Sequence, residues 1–346
     1  MTPRILILRF SSFGDVVQAL SLASSLRAHW PDAEVHFVTK SEFAELPKDH
    51  PNIQKIWSLK KSDGWRGLVR LGHELQNEKF THIYDAHNNS RTRYLSLVLR
   101  HPWLGGQKIP SENFLRKSRH RWKRFQLFVL KKNTFPKPFA NQIALLEPLR
   151  AWGVSGELPP VPQIFFSDDV VSKVRGLLPT FAPNQKVAVL APSASEELKR
   201  WPVEHWKKLV YALSGWRFIL LGGADDTFIE EIRRAAPDQA LNFAGKLNFR
   251  ESAATVLFAN VVISNDTGIM HVGEQLGVPT LALMGPAPFG FPSRSTTIVK
   301  ERELSCRPCS SHGQGPCRNT VYKKCLVDIQ PEEIVFDVRV LSLNQS

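Results

Sequence analysis

The sequence predicts an α/β chain whose parallel sheets are covered by helices on both faces. Short apolar runs alternate with stretches of helical periodicity, and this alternation is typical of parallel sheets. At 346 residues the chain is longer than one ordinary hydrophobic core supports. A Pro-rich stretch at residues 158–162 separates two such series, since Pro cannot continue a helix. We therefore predict two parallel-sheet domains, residues 1–160 and 161–346.

The first domain repeats the strand and helix pattern. Predicted strands occupy residues 5–9, 35–38, 53–57 and 82–85. Helices are predicted at residues 16–28 and 68–78, and Leu68, Leu71 and Leu75 share one face of the second helix. The mixture of cationic and apolar side chains in residues 119–130 predicts a basic amphipathic helix.

The second domain starts a new series. Its predicted strands occupy residues 187–191, 218–221, 241–243, 261–264 and 280–283. Pro202 is predicted in the first turn of an intervening helix, where its missing N–H costs nothing.

The turn after the strand at residues 261–264 predicts an anion-binding site. The strand is apolar on both faces and a helix follows the turn, so unpaired N–H groups lie beside Asp266, Thr267 and Gly268. A phosphate group binds favourably at such a helix N-terminus. His271 follows one helical turn later and is placed to face the same ligand. The alternative is that Asp266 or Thr267 only caps the helix.

Polar residues also follow other predicted strands, where open parallel sheets bind their ligands. Gly14 permits close approach of a ligand, and Asp15 is either a general base toward an alcohol or a helix N-cap. Lys199 comes just before a helix and suits a diphosphate. Asp225 lies where nucleotide sites of α/β sheets bind a ribose or sugar hydroxyl.

Composition narrows the class of partner. A net charge of +13 and a pI near 9.7 predict attraction to polyanions, namely nucleic acid, anionic lipid or a phosphorylated glycan. Cations concentrate between Arg100 and Lys137, where Glu112 is the single acid, although a solvated surface is the simpler explanation of such a run. No apolar run approaches the roughly 18 residues of a membrane helix, and the start does not resemble a signal peptide. We therefore expect a soluble, intracellular protein.

Four separated motifs occur in one order along the chain. They are ILILRFSSFGDVVQALSLASSLRAHWPDAEV, KRWPVEHWKKLV, FAGKLNF and SNDTGIMHVGEQLGVPTLALMGP. Together they resemble the ADP-heptose:lipopolysaccharide heptosyltransferases, glycosyltransferase family nine, over nearly the whole chain. The resemblance implies a GT-B architecture, in which two Rossmann-like domains have parallel sheets facing a central cleft. The N-terminal domain would bind the acceptor, and the C-terminal domain would bind the nucleotide sugar and end in a helix near residues 331–341.

The resemblance also implies a reaction and its residues. An inverting transferase of this family moves a heptose from ADP-L-glycero-D-manno-heptose to the inner core of lipopolysaccharide, with Asp15 as catalytic base and Lys199 neutralising the diphosphate. The implied donor-binding residues are Ser195, Asp225, Asp266, Thr267, Gly268 and His271, although the loop that carries Ser195 lacks the family's usual Gly. The residues similar to the acceptor side are Gly14, Lys60, Lys61, Arg66, Arg119 and Arg121.

That chemistry requires no cofactor, because a lysine and a helix N-terminus can stabilise the departing ADP without a metal. The glycolipid acceptor implies a cytoplasmic protein in peripheral contact with the inner face of the cytoplasmic membrane.

The four cysteines lie close together in the C-terminal segment, residues 306–325. Cys306, Cys309, Cys317 and Cys325 have the spacing C-x2-C-x7-C-x7-C. The first pair suits a structural zinc site, but the second pair is wider than the commonest zinc motifs. Reduced, packed thiols and disulfides are the alternatives.

Two other functions are compatible with these features. A basic polyanion-binding protein without catalysis would use the cationic run, but that run contains no recognisable nucleic-acid module, so we expect no nucleic-acid partner. A nucleotide-sugar epimerase of the same fold would need acid and base groups on both faces of the sugar. Product analysis separates transfer, epimerisation and binding.

Overall fold

The computed structural model describes residues 2–343, which form two compact units. The first unit contains the chain up to His120 and Gln142–Ser167, and the second contains Arg121–Asn141 and the chain from Asp168 onward. No helix within residues 2–343 combines the length and apolar character needed to cross a bilayer.

The described residues form strands and helices as follows. The strands are β1 Arg4–Leu8, β2 Glu34–Lys40, β3 Lys55–Leu59, β4 His82–Asp85, β5 Phe114–Arg116, β6 Phe139–Ala140, β7 Val187–Ala191, β8 Arg217–Leu220, β9 Ala240–Asn242, β10 Val261–Asn265, β11 Thr280–Leu283, β12 Phe289–Phe291 and β13 Thr297–Lys300. The helices are α1 Phe13–Ala19, α2 Ser21–His29, α3 Gly64–Gln76, α4 Ser90–Arg100, α5 Arg121–Phe128, α6 Asn141–Leu146, α7 Asp168–Leu177, α8 Val203–Ala212, α9 Ile229–Ala235, α10 Phe249–Thr255, α11 Gly268–Leu276, α12 Lys324–Val327 and α13 Pro331–Leu343.

The first unit is built on a parallel five-stranded sheet of order β3-β2-β1-β4-β5. Residues 5–8 of β1 are fully buried because helices cover both faces of the sheet. After β1 the chain forms β2 and β3 on one side of β1, and β4 and β5 then form on the other side of β1. The carboxyl ends of β1 and β4 therefore form the switch point at which such sheets bind ligands.

The second unit is built on a parallel six-stranded sheet of order β13-β11-β10-β7-β8-β9. All five residues of β10 are buried, as its apolar sequence predicts. Here the switch point lies between β7 and β10. The loops that follow these two strands carry Lys199 and Asp266.

These two sheets confirm the predicted α/β class with two Rossmann-like units. The strands predicted from apolar runs are all present, and Leu68, Leu71 and Leu75 are buried together on α3. The helix predicted at residues 16–28 is two helices, because α1 ends at Ala19 and α2 begins at Ser21. The strand predicted at residues 53–57 lies two residues later, as β3.

The division of the chain differs from a single cut after residue 160. The first unit extends to Ser167, and Arg121–Asn141 belongs to the second unit. The physical reason is an aromatic cluster in which Phe135 and Phe139 pack against Phe289, together with the pairing of β6 with β12. The basic helix, observed as α5, is therefore part of the second unit.

The C-terminal helix α13 packs against the hydrophobic core of the second unit. Ile334, Val335 and Val338 of α13 join the core cluster that contains Trp206 and Leu209 of α8. Burial of these apolar side chains holds the C-terminal helix to the sheet it follows.

Candidate active site

Asp15 lies in the first turn of α1, directly after the switch-point strand β1. Its Oδ1 atom is 2.7 Å from a guanidinium nitrogen of Arg9, whose side chain is buried. Its Oδ2 atom accepts hydrogen bonds from the backbone N–H of Ser12 at 3.1 Å and from the Ser12 hydroxyl at 2.8 Å. Ser12 is therefore the N-cap of α1, and Asp15 is the N3 residue of its capping box rather than the N-cap that the capping alternative predicted. About a third of the Asp15 side chain, 30%, remains exposed.

The charge state of Asp15 follows from these contacts. Burial alone would raise the pKa of Asp15, but the charges of Arg9 and Lys117 and the two hydrogen bonds from Ser12 outweigh it. The pKa of Asp15 is thereby held well below its usual range. The carboxylate is ionised at any physiological pH.

The end of β4 supplies a second polar group at the same switch point. The Nδ1 atom of His87 accepts a hydrogen bond from the backbone N–H of Phe10 at 3.1 Å, which assigns the ring proton of the neutral imidazole to Nε2. Burial, and next the charge of Arg9, lower the pKa of His87 to about 3. His87 is therefore a neutral N–H donor close to the Asp15 carboxylate.

Asp85 fixes the loop that carries His87. It is fully buried, lies 2.9 Å from Arg116 Nε and accepts the backbone N–H of Asn88 at 2.7 Å. The sequence analysis did not identify Arg9, Asp85 or His87. The signal was present, because polar residues end two apolar strands that are neighbours in the sheet.

The predicted acceptor residues divide into three groups. Lys60 and Lys61 are exposed just past the carboxyl end of β3, and Arg66 is exposed on α3. Gly14 is buried within α1. Arg119 and Arg121 are both exposed, but Arg119 belongs to the first unit and Arg121 to the second.

In the second unit, α11 begins at Gly268 directly after the buried strand β10. Thr267 is its N-cap residue, and the Thr267 hydroxyl lies 3.1 Å from that of Ser264. The Nζ atom of Lys199 lies 2.6 Å from Asp266 Oδ2, and both side chains are mostly buried. The loops after β7 and β10 thus bring the predicted cation and carboxylate together at a helix N-terminus.

The side chain of Asn265, at the end of β10, hydrogen-bonds to the loop that follows β7. Its side chain is fully buried, its Oδ1 accepts the backbone N–H of Trp201 at 3.1 Å, and its Nδ2 donates to the carbonyl of Pro192 at 2.7 Å. One amide therefore fixes both ends of the loop that carries Lys199. A hydrophobic residue at this position would leave two buried backbone groups unpaired.

His271 is fixed on the buried face of α11. Its Nδ1 atom lies 2.9 Å from Glu274 Oε2, and Glu274 is fully buried. The other oxygen of Glu274 accepts the backbone N–H groups of Ser293 and Arg294. The carboxylate therefore sets the orientation of the imidazole, as in other paired His sites.

A buried carboxylate follows β8, and it belongs to the residue next to the predicted Asp225. Asp226, not Asp225, is the buried carboxylate there, and it lies 3.1 Å from Arg200. Asp226 also accepts hydrogen bonds from the Ser193 hydroxyl and from the backbone N–H of Gly223. Asp225 and Ser195 are both exposed. The predicted roles of Asp225 and Ser195 in donor binding stay predictions.

The four cysteines line one pocket in the second unit, together with Leu198, Arg307, Lys323 and Lys324. All four are free thiols. Burial raises the pKa of Cys325 to about 11, and burial with the neighbouring Cys306 and Cys317 raises the pKa of Cys309. The structure thus shows no disulfide among them, and the zinc prediction stays a prediction.

Within residues 2–343, one cluster of three side chains brings potential metal-ligand atoms within 4.8 Å of one another: Glu34, His36 and Glu78. Arg4 pairs with both carboxylates at 2.8 Å, and Lys55 pairs with Glu78. These cations satisfy the carboxylates, so the cluster is explained as a structural ion-pair network.

A parallel-sheet unit with a lysine and a helix N-terminus at its switch point is suited to a nucleoside diphosphate. The first unit presents an ionised carboxylate, Asp15, at its own switch point. The chain belongs to glycosyltransferase family 9, the heptosyltransferase family, whose model matches residues 68–314. The chain is thus a glycosyltransferase, and the alternatives of an epimerase and a non-catalytic polyanion binder give way to this assignment.

Curated relatives and solved structures agree over nearly the full length. The chain is 26% identical to lipooligosaccharide heptosyltransferase 2 of Haemophilus influenzae, covering 95% of this chain and 96% of the relative. It is 21% identical to lipopolysaccharide heptosyltransferase 2 of Escherichia coli K12, covering 99% of each.

Two solved structures share the fold. A family 9 glycosyltransferase from Veillonella parvula superimposes with a TM-score of 0.80 at 20% identity, covering 99% of this chain and 98% of the other. The E. coli ADP-heptose lps heptosyltransferase II gives 0.73 at 21% identity, covering 99% of both chains. These likenesses confirm the predicted fold, which is that of the GT-B heptosyltransferases.

Proposed function

We propose that this protein transfers a heptose from ADP-L-glycero-D-manno-heptose to the inner core of lipopolysaccharide, with inversion at the anomeric carbon. The observation that carries the donor half is the Lys199 ammonium beside the N-terminus of α11 at the switch point of the second unit. The relatives named as heptosyltransferases support the sugar and the acceptor.

The donor site would act by stabilising the leaving group. As the glycosidic bond breaks, negative charge moves onto the β-phosphate of ADP. Lys199 and the backbone N–H groups at Thr267 and Gly268 would stabilise that charge. The Lys199 ammonium pairs with Asp266 in the structure. A bound diphosphate would therefore share this cation with Asp266, whose second oxygen can accept a sugar hydroxyl.

Asp15 would act on the acceptor. A carboxylate with so low a pKa is a weak base, so it would orient the attacking hydroxyl by a hydrogen bond and take the proton late. By then the hydroxyl has become acidic through its bond to the anomeric carbon. Attack from the face opposite ADP would invert the configuration.

Product analysis tests the activity. The purified full-length protein is incubated with ADP-L-glycero-D-manno-heptose and lipopolysaccharide from a strain whose inner core lacks heptose. We expect stoichiometric ADP release and a product heavier by one heptose residue in mass spectrometry. Release of ADP without a heavier glycolipid, or conversion of the nucleotide sugar into an isomer, would refute the proposal.

We propose further that α5 holds the enzyme on the cytoplasmic face of the anionic membrane that carries its acceptor. The segment exposes Trp122 by 66%, Phe125 by 44%, Val129 by 60% and Leu130 by 56%. Its opposite side is anchored, since Leu127 is buried in the cluster with Phe289. The exposed cations around it are Arg121, Lys123, Lys131 and Lys132. Exposed aromatic and aliphatic side chains flanked by cations favour binding at an anionic lipid surface.

Co-sedimentation with vesicles tests this contact. We expect binding to vesicles that contain phosphatidylglycerol, weaker binding to pure phosphatidylcholine, and loss of most binding in the Trp122→Ser, Phe125→Ser double variant. Tyr211→Ser is the matched control, because Tyr211 is 80% exposed on α8. Equal binding by both variants would show that α5 is not the contact.

A further inference from the structure

The cysteine-rich segment packs directly against the loop that carries Lys199. A Cβ atom on Gly313 would lie 2.9 Å from Lys199 Cγ, so this backbone contacts the aliphatic part of the lysine. The φ of Gly313 is +90°, a conformation that suits glycine and that allows this close approach. The position of the Lys199 side chain therefore depends on where this segment lies.

Further contacts join the same two segments. Gln314 donates from Nε2 to a carboxylate oxygen of Glu196 at 3.3 Å, and the Tyr322 hydroxyl donates to Glu197 at 2.9 Å. The Lys323 ammonium lies 3.6 Å from the same carboxylate of Glu197. Contacts from both ends of the loop formed by residues 313–323 thus reach Glu196 and Glu197, two of the three residues before Lys199.

The thiols lie behind these contacts. Leu198, the residue between Glu197 and Lys199, lines the same pocket as all four cysteines. The pocket residues include no carboxylate, while Arg307, Lys323 and Lys324 supply positive charge. Two sulfurs already accept hydrogen bonds from amides: Cys317 from the Lys323 backbone at 3.3 Å and Cys306 from Asn319 Nδ2 at 3.5 Å. Amide donors of this kind are the usual hydrogen-bond partners of cysteine sulfurs that ligate a metal.

We propose that Cys306, Cys309, Cys317 and Cys325 bind one divalent metal ion as four thiolates, and that this ion fixes the loop of Lys199 for diphosphate binding. Four thiolates select zinc or ferrous iron among common metals. Such a centre carries a net double negative charge and would lie beside Arg307, Lys323 and Lys324, each of which also pairs with a carboxylate outside the pocket lining. The effect on diphosphate binding rests on the proposed function, whereas the metal site itself does not.

Binding of the metal ion would also bring the four cysteines of the segment closer together. Within the described chain, no three of the four sulfurs lie within 4.8 Å of one another, so coordination must draw the thiols together. The loop between Cys309 and Cys325 would move with its ligands. Because that loop contacts Glu196, Glu197 and Lys199, metal loss would loosen the diphosphate site.

Metal analysis and ADP titration test both halves. We expect the purified full-length protein to contain about one equivalent of zinc or iron by inductively coupled plasma mass spectrometry. We expect the Cys306→Ser, Cys317→Ser variant to contain none, and Ser305→Ala, a neighbour outside the ligand set, to retain it. Four thiols that react with Ellman's reagent in a folded, metal-free protein with native ADP affinity would overturn the site.

The effect of the metal on ADP binding is measured separately from metal content. Chelation of the metal is expected to weaken ADP binding at least tenfold by calorimetry, and adding the metal back is expected to restore it. The Gln314→Ala, Tyr322→Phe variant should keep its metal and still bind ADP more weakly. Unchanged ADP affinity after metal removal would overturn the coupling, while absent heptose transfer with the metal effects intact would refute the proposed reaction alone.

Discussion

The ion pair between Lys199 and Asp266 gives the most quantitative prediction. Its 2.6 Å separation corresponds to a Coulomb attraction of about 6 kcal/mol at an effective dielectric constant of about 20, before the solvation cost of either group is subtracted. Both side chains are mostly buried, with 14% and 9% exposure, so removing one partner leaves the other poorly solvated. Loss of one partner of such a pair typically costs about 3–5 kcal/mol of stability.

Lys199→Ala should therefore lower both the free energy of unfolding and the affinity for ADP. A charge-assisted hydrogen bond is worth about 1.5–3 kcal/mol, which corresponds to about a 10- to 150-fold weaker Kd. The unpaired Asp266 carboxylate would repel the diphosphate in addition. The Lys199→Ala, Asp266→Asn double variant should recover part of both losses, because it removes the uncompensated charge.

Calorimetric titration with ADP and urea unfolding measure these effects on the same samples. Lys207→Ala is the matched control, since Lys207 pairs with Glu204 on the outer surface of α8, where such pairs contribute little. ADP binding by Lys199→Ala within twofold of the unaltered protein would refute the assignment. A double variant that binds ADP more weakly than Lys199→Ala would refute the repulsion argument.

Two further predictions concern the capped carboxylate and the loop amide. Because the folded pKa of Asp15 is depressed, its ionisation stabilises the fold above the unfolded value near 3.9 and this contribution falls as the pH drops toward the folded pKa. The stability difference between the unaltered protein and Asp15→Asn should therefore shrink below about pH 4 in urea titrations, and a constant difference from pH 6 to pH 3 would contradict this. Asn265→Ala should cost about 1–3 kcal/mol for each buried backbone group it leaves unpaired, at Trp201 and Pro192, and weaken ADP binding. An unchanged urea midpoint would show that Asn265 does not hold the loop.

Much of the fold could be predicted because buried parallel strands have a simple pattern. Residues 5–8 and 261–263 are apolar on both faces, and both lie in the centre of their sheets. The short strands β5, β6, β12 and β13 were not predicted, because two to four residues carry no periodicity. The place of Arg121–Asn141 in the second unit depends on contacts between Phe135, Phe139 and Phe289, which are distant in sequence.

The site was predicted at the level of loops, because the carboxyl ends of parallel strands determine where polar residues converge. Asp15, Lys199 and Asp266 follow parallel strands at their carboxyl ends, as expected, and the strand order shows that these ends are switch points. The residues that hold them were missed, since Arg9 and Asn265 act through contacts that only the folded chain creates. Which of Asp225 and Asp226 is buried depends on which side chain turns inward, a property that adjacent identical residues do not reveal.

Turnover of Asp15→Asn, measured together with its affinity for ADP-L-glycero-D-manno-heptose, tests the central claim most directly. We predict unchanged donor affinity and loss of most heptose transfer, because the proposed role of Asp15 is on the acceptor hydroxyl and Asp15 lies in the unit that does not contain Lys199. Asp32→Asn, an exposed aspartate of the same unit, should transfer heptose normally. Near-normal transfer by Asp15→Asn, with the heptosylated product confirmed by mass spectrometry, would contradict the account.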